Sequence, residues 1–176
     1  MLVSFCLSAA RRQRLDSFDQ LNLVAEIAVA LLGFVAIFLA LSKTDGRFAE
    51  SDRHFIQAMV LSSALAIVLA IAPRSLNLFN HDATVWKLST ILALVLGAIA
   101  IFLQARQQLH MSRDEAAQIH WIWHIVAWVL GGLTGILFVL ALVDSSKTAA
   151  YYITGVSTLI PLCLWVFIGV VFRRFF

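Results

Sequence analysis

Five runs of about twenty predominantly apolar residues, at 21–41, 54–72, 85–104, 121–143 and 150–172, leave this chain few ways to fold. Each is long enough to cross the roughly 30 Å hydrocarbon core of a bilayer as a helix, which takes about 20 residues. Inside lipid every backbone N–H and C=O must find its partner within the protein, and continuous runs of this length do so as helices. A β-barrel would instead show strands of about ten residues with alternating polarity. The sequence therefore predicts an all-α polytopic membrane protein, one five-helix transmembrane domain over 21–176, in a plasma membrane of the bacterial inner type.

Composition agrees, since only 13% of the 176 residues are charged and 61% are hydrophobic, against about 25% and 45–50% in soluble domains. Residues 1–20 precede the first run as a tail. Its opening, "MLVSFCLSAARRQRL", puts apolar residues before basic ones, the reverse of a secretory signal, so no cleavable signal is expected. The apolar opening is too short to span, and the tail either lies at the interface or frays. Cys6 and Cys163 are the only cysteines, which excludes a disulfide framework or a cysteine-based zinc site.

The connections carry boundary signals. Gly46 suits a helix C-terminal turn, Ser51 an N-cap, and Asn80 or Asp82 the cap of the third helix. Pro73 is expected to end the second helix, and Ser112 with Glu115 forms a capping box ahead of the fourth. Five spans put the termini on opposite sides. One side then holds Arg11, Arg12, Arg14, Arg74, Lys87 and Lys147, the other Lys43, Arg47, Arg53, Arg106, Arg113, Arg173 and Arg174. Helices two to five each carry more Lys and Arg on the second side, so the positive-inside rule places the N-terminus out and the C-terminus in. The pI of 9.2 then reflects this asymmetry and attraction to anionic lipid; nucleic acid is not an expected partner.

One stretch is written twice. "LGFVAIFLA" at 32–40 recurs as "LGAIAIFLQ" at 96–104, at the same depth of spans that run in the same direction. A duplicated helical hairpin, helices one and two matching three and four with a fifth added, would explain it. Small residues line up at helical spacing: Glu26, Ala30, Gly33 and Ala40; Ala58, Ser62, Ala66 and Ala70; Ser89, Ala93, Gly97 and Ala100; and the GxxxG of Gly131 and Gly135. In lipid no hydrophobic force draws helices together, and small residues let backbones approach. Gly33, Gly97, Gly131 and Gly135 are therefore expected at helix contacts, more readily within the chain than between chains.

Candidate chemistry is sparse. Glu26 is the one acid clearly inside a span, where an ionisable group is a functional hypothesis by default. Lys87 and Arg74 belong to the same membrane face, so the plainer use is an ion pair anchoring helix one to helix three, and the alternative a proton or cation site. His120 and His124 stand four apart and share a helix face, as two metal ligands or a haem ligand with its neighbour would. His54, His110, Asp52, Asp114 and Glu115 lie toward the same side. Against a metal, Trp121, Trp123 and Trp128 mark this as a headgroup-level aromatic belt. Pro161, after Thr154, Ser157 and Thr158, is expected to kink the fifth helix. Nucleophile-elbow, P-loop, dinucleotide, HExxH and CxxC patterns are absent.

These features favour a non-enzymatic membrane protein that works by helix packing, with the bilayer and either a second copy or another membrane subunit as partners and no cofactor. A small transporter or channel using Glu26, and a haem- or metal-binding protein using His120 and His124, are the alternatives.

Overall fold

The computed structural model describes residues 2–42, 50–78, 83–110 and 121–175, with side chains described at 16–37, 55–78, 84–109 and 121–169. Among these the chain is helical apart from Leu78, the turn at 144–147 and Thr158, without a strand. Helix α1 is Leu2–Ser42, α2 Glu50–Asn77, α3 Ala83–His110, α4 Trp121–Val143, α5 Thr148–Ser157 and α6 Leu159–Phe175. Five stretches are long and apolar enough to span: Asp16–Ile37, Phe55–Asn77, Thr84–Leu109, Trp121–Val143 and Thr148–Gly169, the last made of α5 and α6 together. The segment read as a tail is helical from Leu2 and continuous with the first span. Gly46, Asn80, Asp82 and the Ser112–Glu115 box lie outside the described residues, and α2 begins at Glu50, one residue before Ser51.

Helix α2 and the fifth span form the centre of the bundle. α1 packs against both, α3 against α2 and α4, and α4 against α5 and α6. α1 presents Leu21, Val24, Ala28, Leu31 and Val35, an unbroken three-four spacing and thus one face. The lower half of this stripe joins Ala66, Leu69 and Ala70 of α2 with Tyr152, Ile153 and Val156 of α5 in one core. The upper half joins Phe55 and Met59 of α2 with Cys163 and Val166 of α6 in another. The small-residue stripe expected to pack α1 is on its opposite side, with Glu26, Ala30 and Gly33 all exposed.

The two hairpins differ in their packing. Val35 is 4% exposed, whereas Ile99, its counterpart in the written repeat, is 50% exposed. Ile99 stands on the side of α3 away from Gly97, Ile101 and Gln104, so the two copies of the written repeat are not packed equivalently.

Buried hydroxyls are satisfied locally, as a lipid environment demands. Ser89 donates to the Val85 carbonyl at 2.8 Å, Thr90 to Trp86 at 2.7 Å and Thr134 to Leu130 at 2.9 Å.

Both prolines depart from a simple stop. Pro73 lies inside α2, which continues to Asn77 and so corrects the expectation that it ends there. A proline at 73 deprives the Leu69 carbonyl of its helical donor. The hydroxyl of Tyr152, fully buried on α5, donates to that oxygen at 2.7 Å and replaces the missing bond. Pro161 does interrupt the fifth span, as expected of a kink. The helix breaks at Thr158, three residues earlier, where the proline ring crowds the preceding turn. The Thr158 hydroxyl lies 2.7 Å from the Gly155 carbonyl and 2.7 Å from the Thr134 hydroxyl, tying the break to α4.

The turn between α4 and α5 is organised by Asp144. Its carboxylate accepts the Ser146 hydroxyl at 2.6 Å and the Ser146 N–H at 3.0 Å. These hydrogen bonds, chiefly the hydroxyl's, hold the Asp144 carboxyl below the ordinary carboxylate range.

A candidate binding cavity between four spans

Helices α2, α3, α4 and α6 line a half-open cavity of about 440 Å³. Three of them turn their small residues toward it: Ala58 and Ser62 on α2, Ala93, Gly97 and Ala100 on α3, and Ala127, Gly131 and Gly135 on α4. The space exists because these positions carry little or no side chain and no larger residue opposite fills it. A Cβ added at Gly97, Gly131 or Gly135 would meet nothing within 4 Å. The expectation that these glycines bring helices of this chain into contact is therefore corrected, and the same holds for Gly33 on the outer side of α1.

The glycines that do pack closely are others. A Cβ on Gly155 would stand 2.8 Å from the Phe138 ring, and one on Gly169 would stand 3.3 Å from Trp123. Phe138 seats its ring against Gly155, lies 5.7 Å from the Tyr152 ring, and forms the floor of the cavity.

The walls are apolar, with Leu65, Leu94, Leu159 and Leu162 completing the inner part. Polar side chains gather at the other end. Gln104 and Gln108, one turn apart on α3, line the cavity together with His124 near the start of α4. Phe55, Trp123 and Trp165 also line this end. The two indoles are 4.3 Å apart between centroids, and the Trp165 Nε1–H donates to the Trp123 carbonyl at 3.3 Å. His124 and Phe138 are fourteen residues apart on α4, so the cavity reaches about 21 Å along the helix axis.

The residues singled out in the sequence are not brought together as expected. Glu26, Arg74 and Lys87 are all exposed, and no ion pair joins them among the described residues. Glu26 occupies the face of α1 opposite Leu21, Val24 and Ala28, so it points away from the bundle. His120 lies outside the described residues, as do the side chains of His54 and His110; His124 is half-buried on the cavity wall. Among the described residues no group of three or more His, Cys, Asp or Glu side chains is placed to hold a metal. The aromatic belt divides: Trp121 and Trp128 are more than half exposed, while Trp123 turns inward onto Trp165 and Gly169. Gln104, Gln108, Trp165 and Phe138 went unremarked in the sequence, and their signal is weak because a glutamine near a span end is ordinary.

Five apolar spanning helices and a strand-free fold define an all-α multi-span membrane protein. Compared with models of known protein families, with curated proteins and with solved structures, the chain matches none.

Proposed function

We propose that this protein is a non-enzymatic intramembrane binding protein that holds an apolar molecule in the cavity between α2, α3, α4 and α6. The observation that carries this reading is the set of glycines, Gly97, Gly131 and Gly135, that face open space rather than another helix. A volume of about 440 Å³ is within the usual 300–1,000 Å³ of ligand sites, which favour the space between helices of a bundle. The space is open on one side, where the lining residues Ala98, Ile101, Trp128 and Gly132 reach the surface, so an apolar molecule can enter it from the bilayer.

Transport through Glu26 is not favoured, since that side chain faces away from the cavity. Assembly as a helix-packing subunit or homo-oligomer keeps one candidate face, the outward side of α1 with Ala30 and Gly33, where a Cβ at Gly33 would meet nothing within 4 Å in this chain. A haem or metal ligand remains a second reading on one observation, the placement of His124 on the cavity wall.

The test is native mass spectrometry of the chain purified in mild detergent, beside Gly131→Leu and Gly135→Leu. A Cβ at either site meets nothing within 4 Å, and both positions line the cavity, so a leucine there takes up part of its volume. A non-protein mass on the wild type that both variants lose supports the reading, and the mass itself tells a haem or metal from a lipid-like molecule. A bare wild type, or a mass retained by both variants, overturns it.

A further inference from the structure

We infer that two copies of this chain associate side by side in the bilayer through the outward face of α1, with Asn22 and Glu26 of one copy hydrogen-bonded to the same residues of the second copy. The association is independent of what the cavity holds, since the described lining residues include none from α1.

Depth comes first. Glu26 stands ten residues from Asp16 and eleven from Ile37, the ends of the first span, so about 15 Å of helix separates it from either end. Its neighbours give the same level. Phe18 stacks on Trp86, near the start of α3, at 5.9 Å, and Val35 shares a core with Phe55, near the start of α2. Those two helices begin at opposite ends of the bundle, and Glu26 lies midway, eight residues from Phe18 and nine from Val35. The packed stripe from Leu21 to Val35 fixes the rotation and leaves Glu26 exposed on the far side, as it leaves Asn22. Neither side chain has a hydrogen-bond or ion-pair partner among the described residues.

At the middle of a bilayer an outward side chain meets neither water nor headgroups, and the two methylenes of a glutamate cannot carry its carboxyl out across about 15 Å. Ionisable groups at such depth pair with one another or face protein. Lipid chains bring no hydrogen-bonding group to that level, so what covers this face is another protein helix.

The make-up of the face selects a second copy. Asp19, Asn22, Glu26, Ala30, Gly33 and Ile37 follow one another at three- and four-residue spacing, and all are exposed. A Cβ at Gly33 would meet nothing within 4 Å, and Ala30 with Gly33 lets a second backbone come close one turn from Glu26. Copies inserted with the same topology carry these residues at identical depths, and around a two-fold axis along the membrane normal each meets its own counterpart. A carboxylic acid and a carboxamide each hold both a donor and an acceptor. Two Glu26 acids therefore exchange a pair of O–H···O bonds, and two Asn22 amides a pair of N–H···O bonds, where a helix of another protein would need matching groups at both depths. Asp19 lies only about 4.5 Å from the span end, within reach of headgroup water, where two carboxylates can turn apart.

The experiment counts copies per particle by single-molecule photobleaching in dilute lipid vesicles, for the wild type, Glu26→Gln, Glu26→Leu and Gly33→Leu. Oxidative cross-linking of Gly33→Cys and Phe34→Cys, each in a Cys6→Ser background, reads the geometry, because adjacent positions differ by about 100° around the helix and Cys163 is buried. The wild type and Glu26→Gln, whose amide also donates and accepts, are expected to dimerise. Glu26→Leu and Gly33→Leu are each expected to weaken the dimer about tenfold, as loss of one to two intramembrane hydrogen bonds or of close approach implies. Gly33→Cys should cross-link and Phe34→Cys should not. A dimer that both leucine variants leave unchanged, or equal cross-linking at the two positions, overturns the inference. A monomeric wild type also overturns it and makes a different membrane protein the partner of this face.

Discussion

Tyr152→Phe isolates a single hydrogen bond at the centre of the bundle. The ring stays, with its neighbours Trp86 at 5.8 Å and Phe138 at 5.7 Å, so no cavity opens. What is lost is the hydroxyl 2.7 Å from the Leu69 carbonyl, an oxygen that Pro73 has already deprived of its helical donor. A buried acceptor left unsatisfied costs about 1–3 kcal/mol. Side-chain hydrogen bonds in membrane bundles average nearer 0.6 kcal/mol and reach about 1.7, because the unfolded reference finds other partners. Leu69 has none within its own helix, so the expected loss is about 1–2 kcal/mol, toward the upper end of that range. Reversible unfolding in bicelles by steric trapping measures it. The decisive comparison is the same substitution in a Pro73→Ala background, where alanine's N–H restores the helical bond to Leu69. There Tyr152→Phe should cost less than about 0.5 kcal/mol, the size of an ordinary surface change. Equal costs in the two backgrounds would refute the argument that the hydroxyl substitutes for the proline's missing donor.

Three further outcomes are expected. Gly155→Ala forces a Cβ to 2.8 Å from the Phe138 ring and should destabilise by about 1–3 kcal/mol, whereas Gly135→Ala meets open space and should be neutral or stabilise by about 0.5–1 kcal/mol; the same unfolding assay reads both. The Asp144 carboxyl, held low by Ser146, stabilises its turn fully above the unfolded carboxylate pKa of about 3.9 and loses that contribution as pH falls through the lowered folded value. Ser146→Ala should move the Asp144 titration upward, as followed by carboxyl carbon NMR. Glu26→Gln, on the outward face of α1, should change stability by less than about 0.5 kcal/mol and leave any bound mass unchanged in the native spectrum.

The spans were readable because a membrane helix is a matter of length and apolarity, both of which lie on the surface of a sequence. Which face of each span turns inward was not. On α1 the packed stripe of Leu21, Val24, Ala28, Leu31 and Val35 has an opposite face carrying Leu23, Val29, Phe34 and Ile37, equally apolar because it meets lipid. Periodicity then has little contrast to work with, and Glu26 and Gly33 were assigned to the wrong side. The glycines pose a different problem. Gly155 and Gly131 are the same residue in similar surroundings, yet one receives an aromatic ring and the other faces a void. The outcome depends on the size of what stands opposite, here Phe138 or nothing, and that is fixed only by how the helices are arranged. Pro73 was misread for a related reason, because the donor that rescues its helix comes from 83 residues further along the chain.

That separation has a consequence for how the protein is made. The second span leaves the ribosome with the Leu69 carbonyl unsatisfied, and its partner hydroxyl lies on the last span. Through insertion of the third and fourth helices the growing chain carries a polar defect in its second helix, which must borrow water or the walls of the insertion machinery. Only when the fifth span arrives does Tyr152 close it. A nascent chain truncated before Tyr152 therefore lacks the hydroxyl that satisfies the Leu69 carbonyl in the finished bundle.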